Sequence, residues 1–201
     1  MNVPNKITVC RIFLSVVLIL LLIFPFYKIG FTFPTFVVGG GKAIVDSKYI
    51  ISGIIFLIAA STDFLDGYLA RKYNLVTDFG KVLDAIADKM LVNGVLIILA
   101  VDNQISVIVP VVVIIRDIAV DSIKMIAGQK SGAVAASWTG KVKTACMLVG
   151  LTLLFFGNLP FELWNLRVSE FLILIATVLS VVSGVEYYIN NKKYFLEEGK
   201  E

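Results

Sequence analysis

Asp63, Asp66, Asp84 and Asp88 stand between apolar runs long enough to cross a bilayer, and that setting restricts the chain more than any other feature. The stretch reads Asp63-Phe-Leu-Asp66-Gly67-Tyr-Leu-Ala70-Arg71, then eight residues, then Gly80-Lys-Val-Leu-Asp84-Ala-Ile-Ala-Asp88. Asp63 and Asp66 are three apart and Asp84 and Asp88 four apart, so on helices each pair shares one face. Carboxylates beside hydrocarbon need partners, and no cation within the stretch can satisfy four of them. A divalent metal can. Hard oxygen ligands on two facing helices suit Mg²⁺ or Mn²⁺, and four carboxylates can hold two such ions.

Gly67 directly follows Asp66, and Gly80 lies one turn before Asp84; both remove bulk where a ligand or another backbone approaches closely. Ala70 continues that small strip, and Arg71 is a cation suited to phosphate. Acid for metal, space for a nucleotide and base for phosphate point to phosphoryl chemistry at a membrane surface. The plainer reading, helix caps and solvated charge, fits Asp78 beside Thr77 at the start of a helix.

Of the 201 residues 58% are hydrophobic, well above the near-half of a soluble domain, so the chain belongs with polytopic membrane proteins. It has no histidine, which removes the commonest general base and usual zinc ligand and leaves carboxylates or lysines for proton work. Cys10 and Cys146 are too few for a zinc motif or disulfide framework and are expected as buried free thiols. No nucleic-acid partner is expected.

The periodicity predicts an all-α protein, a single domain over residues 1–201, with six transmembrane helices and no internal repeat. Residues 1–11 form a short interfacial helix with Thr8 and Arg11 on one face, leading into a first span over 12–26 that is retained rather than cleaved. Residues 28–48 read as an outer loop with a glycine hinge at 39–41. Further spans follow at about 49–70, 78–100, 105–127, 140–156 and 168–189, with a polar linker at 128–139, a break at Gly157-Asn-Leu-Pro160 and a frayed tail from Asn190. With the N-terminus inside, only Lys28, Lys42, Lys48 and Arg167 of the 18 Lys and Arg face out. Both termini and the four aspartates then face the cytoplasm.

Arg116 and Asp117 lie inside the fourth span, with Asp121 and Lys124 below them. Two readings stay open: an ion pair of Arg116 with Asp117 or Asp121, or an Arg116 that faces a cavity while Asp117 braces it. Gly140-Lys141-Val-Lys143-Thr144 opens the fifth span, as a lysine anchor in the headgroups or as a phosphate site at a helix N-terminus. Glu186 pairs locally or reaches the interface, where Trp138 and Trp164 also belong.

The Asp63–Asp88 stretch matches D-x2-D-G-x2-A-R, eight residues, G-x3-D-x3-D, and so resembles the CDP-alcohol phosphotransferases. Asn2-x-Pro4-Asn5-x-x-Thr8-x-x-Arg11, the Arg116-Asp117 pair and Gly140-Lys141-x-Lys143-Thr144 resemble the bacterial phosphatidylglycerophosphate synthase branch. Asp117 stands where Glu is usual there, and Lys124 where Arg is; lysine cannot grip a phosphate bidentately. The resemblance implies the fold of that family, usually a homodimer in the bacterial plasma membrane, with a cavity open to cytosol and inner leaflet. It implies transfer of the phosphatidyl group from CDP-diacylglycerol to sn-glycerol 3-phosphate, with release of CMP. By motif position, Asp63, Asp66 and Asp84 would hold two Mg²⁺ or Mn²⁺ ions, with Asp88 a further ligand and the general base. Asn5, Thr8, Thr62, Gly67, Ala70, Arg71 and Gly80 would bind CDP-diacylglycerol, and Arg11, Arg116, Lys124, Lys141 and Lys143 the acceptor phosphate. A cardiolipin synthase or a phosphatidylinositol-phosphate-type synthase is the nearest alternative. A divalent-cation transporter would place its aspartates near the bilayer midplane on broken helices, often in repeated halves, and ranks well below an enzyme.

Overall fold

A computed structural model describes residues 2–38, 40, 43–73, 75, 77–131 and 137–192. Six long helices carry the chain: α1 (Val3–Ile23), α2 (Ser47–Lys72), α3 (Asp78–Val101), α4 (Ile108–Ser131), α5 (Trp138–Phe155) and α6 (Val168–Asn191). By length and composition Val3–Ile23, Ser47–Ala70 and Val168–Asn191 are apolar enough to cross a membrane. The other three carry charge within their length: Asp84, Asp88 and Lys89 on α3, four charged residues from Arg116 to Lys124 on α4, and Lys141 and Lys143 on α5.

The start of the chain corrects one expectation. α1 is continuous from Val3, so no separate interfacial helix precedes the first span. Pro4 sits in the first turn, where its missing N–H forfeits no helical bond, and no breaker follows before Phe24. The outer segment corrects another. Between a 3-10 turn at Phe26–Ile29 and α2 lie two short antiparallel strands, β1 (Thr35–Val38) and β2 (Ala43–Asp46), with Thr35 opposite Asp46 and Val38 opposite Ala43. Thr-Phe-Val-Val and Ala-Ile-Val-Asp supply β-branched and aromatic residues around a glycine turn, which is hairpin chemistry. Gly40 has a φ of +68°, the left-handed region that a glycine turn supplies without strain. Gly39 and Gly41, the rest of the expected hinge, lie outside the described residues, as do 132–136 of the polar linker and the tail from 193.

Helix packing forms two groups. α1 packs on α2 and α3, α6 packs on α4 and α5, and the α2–α5 and α3–α4 contacts join them. Leu18, Phe56, Val95, Leu99, Met147, Leu151, Phe155 and Ile173 fill the shared core. Two glycines permit its close contacts. A Cβ on Gly150 would lie 3.2 Å from the Ile173 backbone nitrogen, and one on Gly53 would lie 2.8 Å from Phe155 Cβ. Phe13, Leu20, Ile115, Phe171 and Val178 point outward and exposed, as lipid-facing residues do. Cys10 is also exposed rather than buried, because it lies off the inward stripe of α1.

Polar ties fasten both ends of the bundle. Tyr49 Oη donates to Asp102 Oδ2 at 2.8 Å. Past the break after α5, Asn158 accepts from the Ser169 N–H at 3.0 Å and donates to the Leu166 carbonyl at 2.6 Å. Trp138 and Trp164 are exposed, and Glu186 accepts from Thr139, linking α6 to the first turn of α5.

Candidate active site

The short connection between α2 and α3 turns the chain back on itself, so the last turns of α2 face the first turns of α3. Thr77 caps α3, its Oγ1 accepting from Gly80 N–H at 3.0 Å and from Asn5 Nδ2 at 3.3 Å. That second bond brings α1 against the turn. The inward stripe of α1 is polar at its start, with Asn5, Thr8, Arg11 and Ser15, and apolar afterwards, with Leu18 and Leu22. Thr8 Oγ1 lies 2.9 Å from Asp66 Oδ2 and 3.3 Å from Asp84 Oδ1, close enough to give its one proton to either.

Carboxylate oxygens of Asp63, Asp66 and Asp84 all lie within 4.8 Å of one another. Asp66 is buried, and its Oδ1 has no hydrogen-bond partner. Clustered hard oxygens with one of them unpartnered and buried fit a divalent cation of the Mg²⁺ or Mn²⁺ type. Into this cluster α1 sends Arg11, which is 0% exposed. Its Nη1 bonds Asp63 and lies 2.9 Å from Asp88 Oδ1; its Nη2 lies 2.6 Å from Asp84 Oδ1 and 3.6 Å from Asp66 Oδ2. The sequence expectation concerned cations within the carboxylates' own stretch; the fold supplies one from elsewhere. The cation comes from 52 residues upstream of Asp63.

The carboxylates divide two cavities. Asp66 and Asp84 line one of about 230 Å³, together with Asn5, Thr8, Gly67, Ala70 and Gly80. Five residues expected to hold the CDP moiety thus come together there. Thr62 does not: it half-buries on α2 and donates to the Ala59 carbonyl at 2.7 Å. The Arg71 side chain lies outside the described part. A Cβ on Gly80 would lie 2.7 Å from Asn5 Oδ1 and 3.0 Å from Thr77 Oγ1, so a larger residue here would push on both side chains of this wall. Thr77 lines the same cavity, and its place just ahead of a helix start is the sequence signal for it.

Asp63 and Asp88 line the second cavity, of about 310 Å³, opposite Arg116, Lys124 and Lys143. Arg116 answers both open readings at once. It bonds Asp117 at 3.0 Å, the Ser183 hydroxyl at 2.7 Å and the Ser180 carbonyl at 3.1 Å, and it still faces the cavity. Asp117 also accepts from Lys143 Nζ at 2.9 Å, while Asp121 pairs with Lys89 rather than with Arg116. Lys124 stands over the Tyr187 ring. Lys141 is exposed and outside the lining, two residues from the buried Lys143 on a different helix face, so the anchor reading fits the first lysine and the cavity reading the second. Arg11 also departs from expectation, joining the carboxylates instead of the acceptor-side cations. Lys89 and Asn93 line this cavity too. Their only sequence signal is helical spacing from Asp88, which any neighbour on the face shares.

The sequence profile of the CDP-alcohol phosphatidyltransferases matches residues 1–182. The chain belongs to that family. Among CDP-alcohol phosphatidyltransferases it is 37% identical over 190 residues to the CDP-diacylglycerol–glycerol-3-phosphate 3-phosphatidyltransferase of Bacillus subtilis, covering 94% of this chain and 95% of that one. The enzyme of the same name from Rickettsia bellii is 33% identical over 96% of this chain and 97% of its own. The family fold recurs in a phosphatidylinositol phosphate synthase of Mycobacterium tuberculosis. Its apo crystal structure superposes with a TM-score of 0.58 at 21% identity, over 92% of this chain and 87% of the other. A structure of that synthase with manganese and citrate gives 0.57 at 21% identity, over 92% and 80%.

Proposed function

We propose that this CDP-alcohol phosphatidyltransferase moves the phosphatidyl group of CDP-diacylglycerol to sn-glycerol 3-phosphate, giving phosphatidylglycerophosphate and CMP. The observation that carries the reading is a wall of four carboxylates between a small-residue cavity and a cationic one, in a chain over 30% identical to enzymes of that name. The first cavity takes the cytidine diphosphate of the donor: Gly67, Ala70 and Gly80 leave room, and Asn5 and Thr8 offer polar contacts. The second takes the acceptor, whose phosphate meets Arg116, Lys124 and Lys143.

Asp63, Asp66 and Asp84, with Asp88, would hold two Mg²⁺ or Mn²⁺ ions, which when bound neutralise charge on the diphosphate and on the departing CMP. Asp88 faces the acceptor-side cavity with its side chain 57% exposed, so its carboxylate can take the proton of the acceptor hydroxyl as that oxygen attacks phosphorus. The buried Thr8 hydroxyl holds Asp66 in place between the cavities. Six spans, with both termini and the site on the cytoplasmic side, let the acyl chains stay in the inner leaflet while the headgroup enters between helix ends. The family pattern makes a homodimer the expected assembly.

The direct test gives purified protein CDP-diacylglycerol with glycerol 3-phosphate, phosphatidylglycerol, inositol phosphate or serine separately. The expected result is metal-dependent CMP release with glycerol 3-phosphate alone; CMP release with another acceptor instead would reassign the second cavity. A paired substitution examines the cations. Lys143→Ala is expected to raise KM for glycerol 3-phosphate roughly tenfold or more, the worth of one charged hydrogen bond. KM for CDP-diacylglycerol should stay put. Lys141→Ala, on the exposed face, should leave both constants within about twofold. Equal effects from the two lysines would place the phosphate elsewhere.

A further inference from the structure

The carboxylates that fit a divalent ion are also the ion-pair partners of Arg11. Its guanidinium reaches Asp63, Asp84 and Asp88 as close ion pairs and Asp66 at 3.6 Å, from a side chain with no exposure to solvent. It lines neither cavity, so it is not placed to grip an incoming acceptor phosphate. An arginine does not discharge by losing its proton, and its planar fork spans several carboxylates at once. Its own Nε is buried without a partner, so the side chain is held by the carboxylates and not by a second set of acceptors.

We propose that Arg11 is the resident counter-ion of the metal site: it holds the four carboxylates together when no metal is bound and competes with metal for their oxygens. The inference rests on the metal-binding reading of those carboxylates and adds a cost to it. A divalent ion must displace charge-assisted hydrogen bonds before it gains its own ligands, so Arg11 weakens metal affinity while sparing the metal-free protein from four unpaired carboxylates. The linkage has a definite sign. Removing the guanidinium makes the empty site less stable and the loaded site easier to form.

The test is a Mn²⁺ titration of the full-length protein in detergent, followed by electron paramagnetic resonance of the free ion, with thermal unfolding measured in EDTA and in excess Mn²⁺. Arg11→Met keeps much of the length and loses the charge. It should bind Mn²⁺ roughly tenfold or more tightly than wild type. It should unfold at lower temperature than wild type in EDTA and recover most of that difference in Mn²⁺. An arginine that serves packing alone predicts otherwise: an equal drop in both conditions and no gain in affinity, which would overturn the proposal. Should Arg11→Met fail to fold in either condition, Arg11→Lys decides. One ammonium reaches fewer carboxylates than the fork, so Mn²⁺ affinity should still rise above wild type, and an unchanged value refutes the competition. Wild type that binds no Mn²⁺ at all would instead remove the metal site itself, and Arg11's role with it.

Discussion

Replacing Asp66 by Asn is expected to lower turnover about a thousandfold or more, equivalent to roughly 4 kcal/mol of lost transition-state stabilisation. Asp66 is the most enclosed of the four carboxylates, shared between the Thr8 hydroxyl and the cluster, with one oxygen unpartnered. The amide keeps the shape and can still accept from Thr8, so the protein should remain folded and inserted. What disappears is one anionic oxygen donor from a set that needs charge as well as geometry. Asp63→Asn and Asp84→Asn should act in the same direction, less completely, because both sit at the more exposed rim. Rates measured across a Mg²⁺ series, with circular dichroism on each variant, check this. Wild-type turnover by Asp66→Asn at limiting Mg²⁺ would remove that residue from the ligand set.

Asp88→Asn should also cost most of the chemistry, about a hundredfold to ten-thousandfold, the usual contribution of a positioned general base. Its signature should differ from that of Asp63→Asn. Three carboxylates remain for metal, and the cavity proposed for the donor is lined by Asp66 and Asp84 rather than by Asp88. CDP-diacylglycerol binding should therefore survive better in Asp88→Asn than in Asp63→Asn. Dissociation constants for the lipid nucleotide, measured on both variants with Mg²⁺ present, separate a base from a ligand. Equal losses of affinity would make Asp88 chiefly a ligand or a structural group.

Much of this site is legible in one dimension because its parts are local. Asp63 with Asp66, and Asp84 with Asp88, are set by helical spacing, and Gly67, Ala70 and Gly80 lie within the same stretch, so periodicity alone brings them to one place. The role of Arg11 is not local. Spacing puts it on a face with Thr8, but only the packing of α1 against α2 and α3 sends its guanidinium among the aspartates. The lysine pair after Gly140 shows the same limit. Lys141 and Lys143 look alike in sequence, and the rotation of α5 sends one outward and the other to Asp117. At fold level, the six long helices follow from apolar length, whereas the β1–β2 hairpin lay hidden because four-residue strands next to glycines resemble any outer loop.

The wall of carboxylates has one more consequence, for stereochemistry. The proposed placement, nucleotide on the Asp66 side and acceptor on the Asp88 side, has nucleophile and leaving group approach the phosphorus from opposite directions. On that placement the expected course is a single in-line displacement through a ternary complex. A donor made chiral at the reacting phosphorus with sulfur should give product of inverted configuration, and initial-rate plots should intersect rather than run parallel.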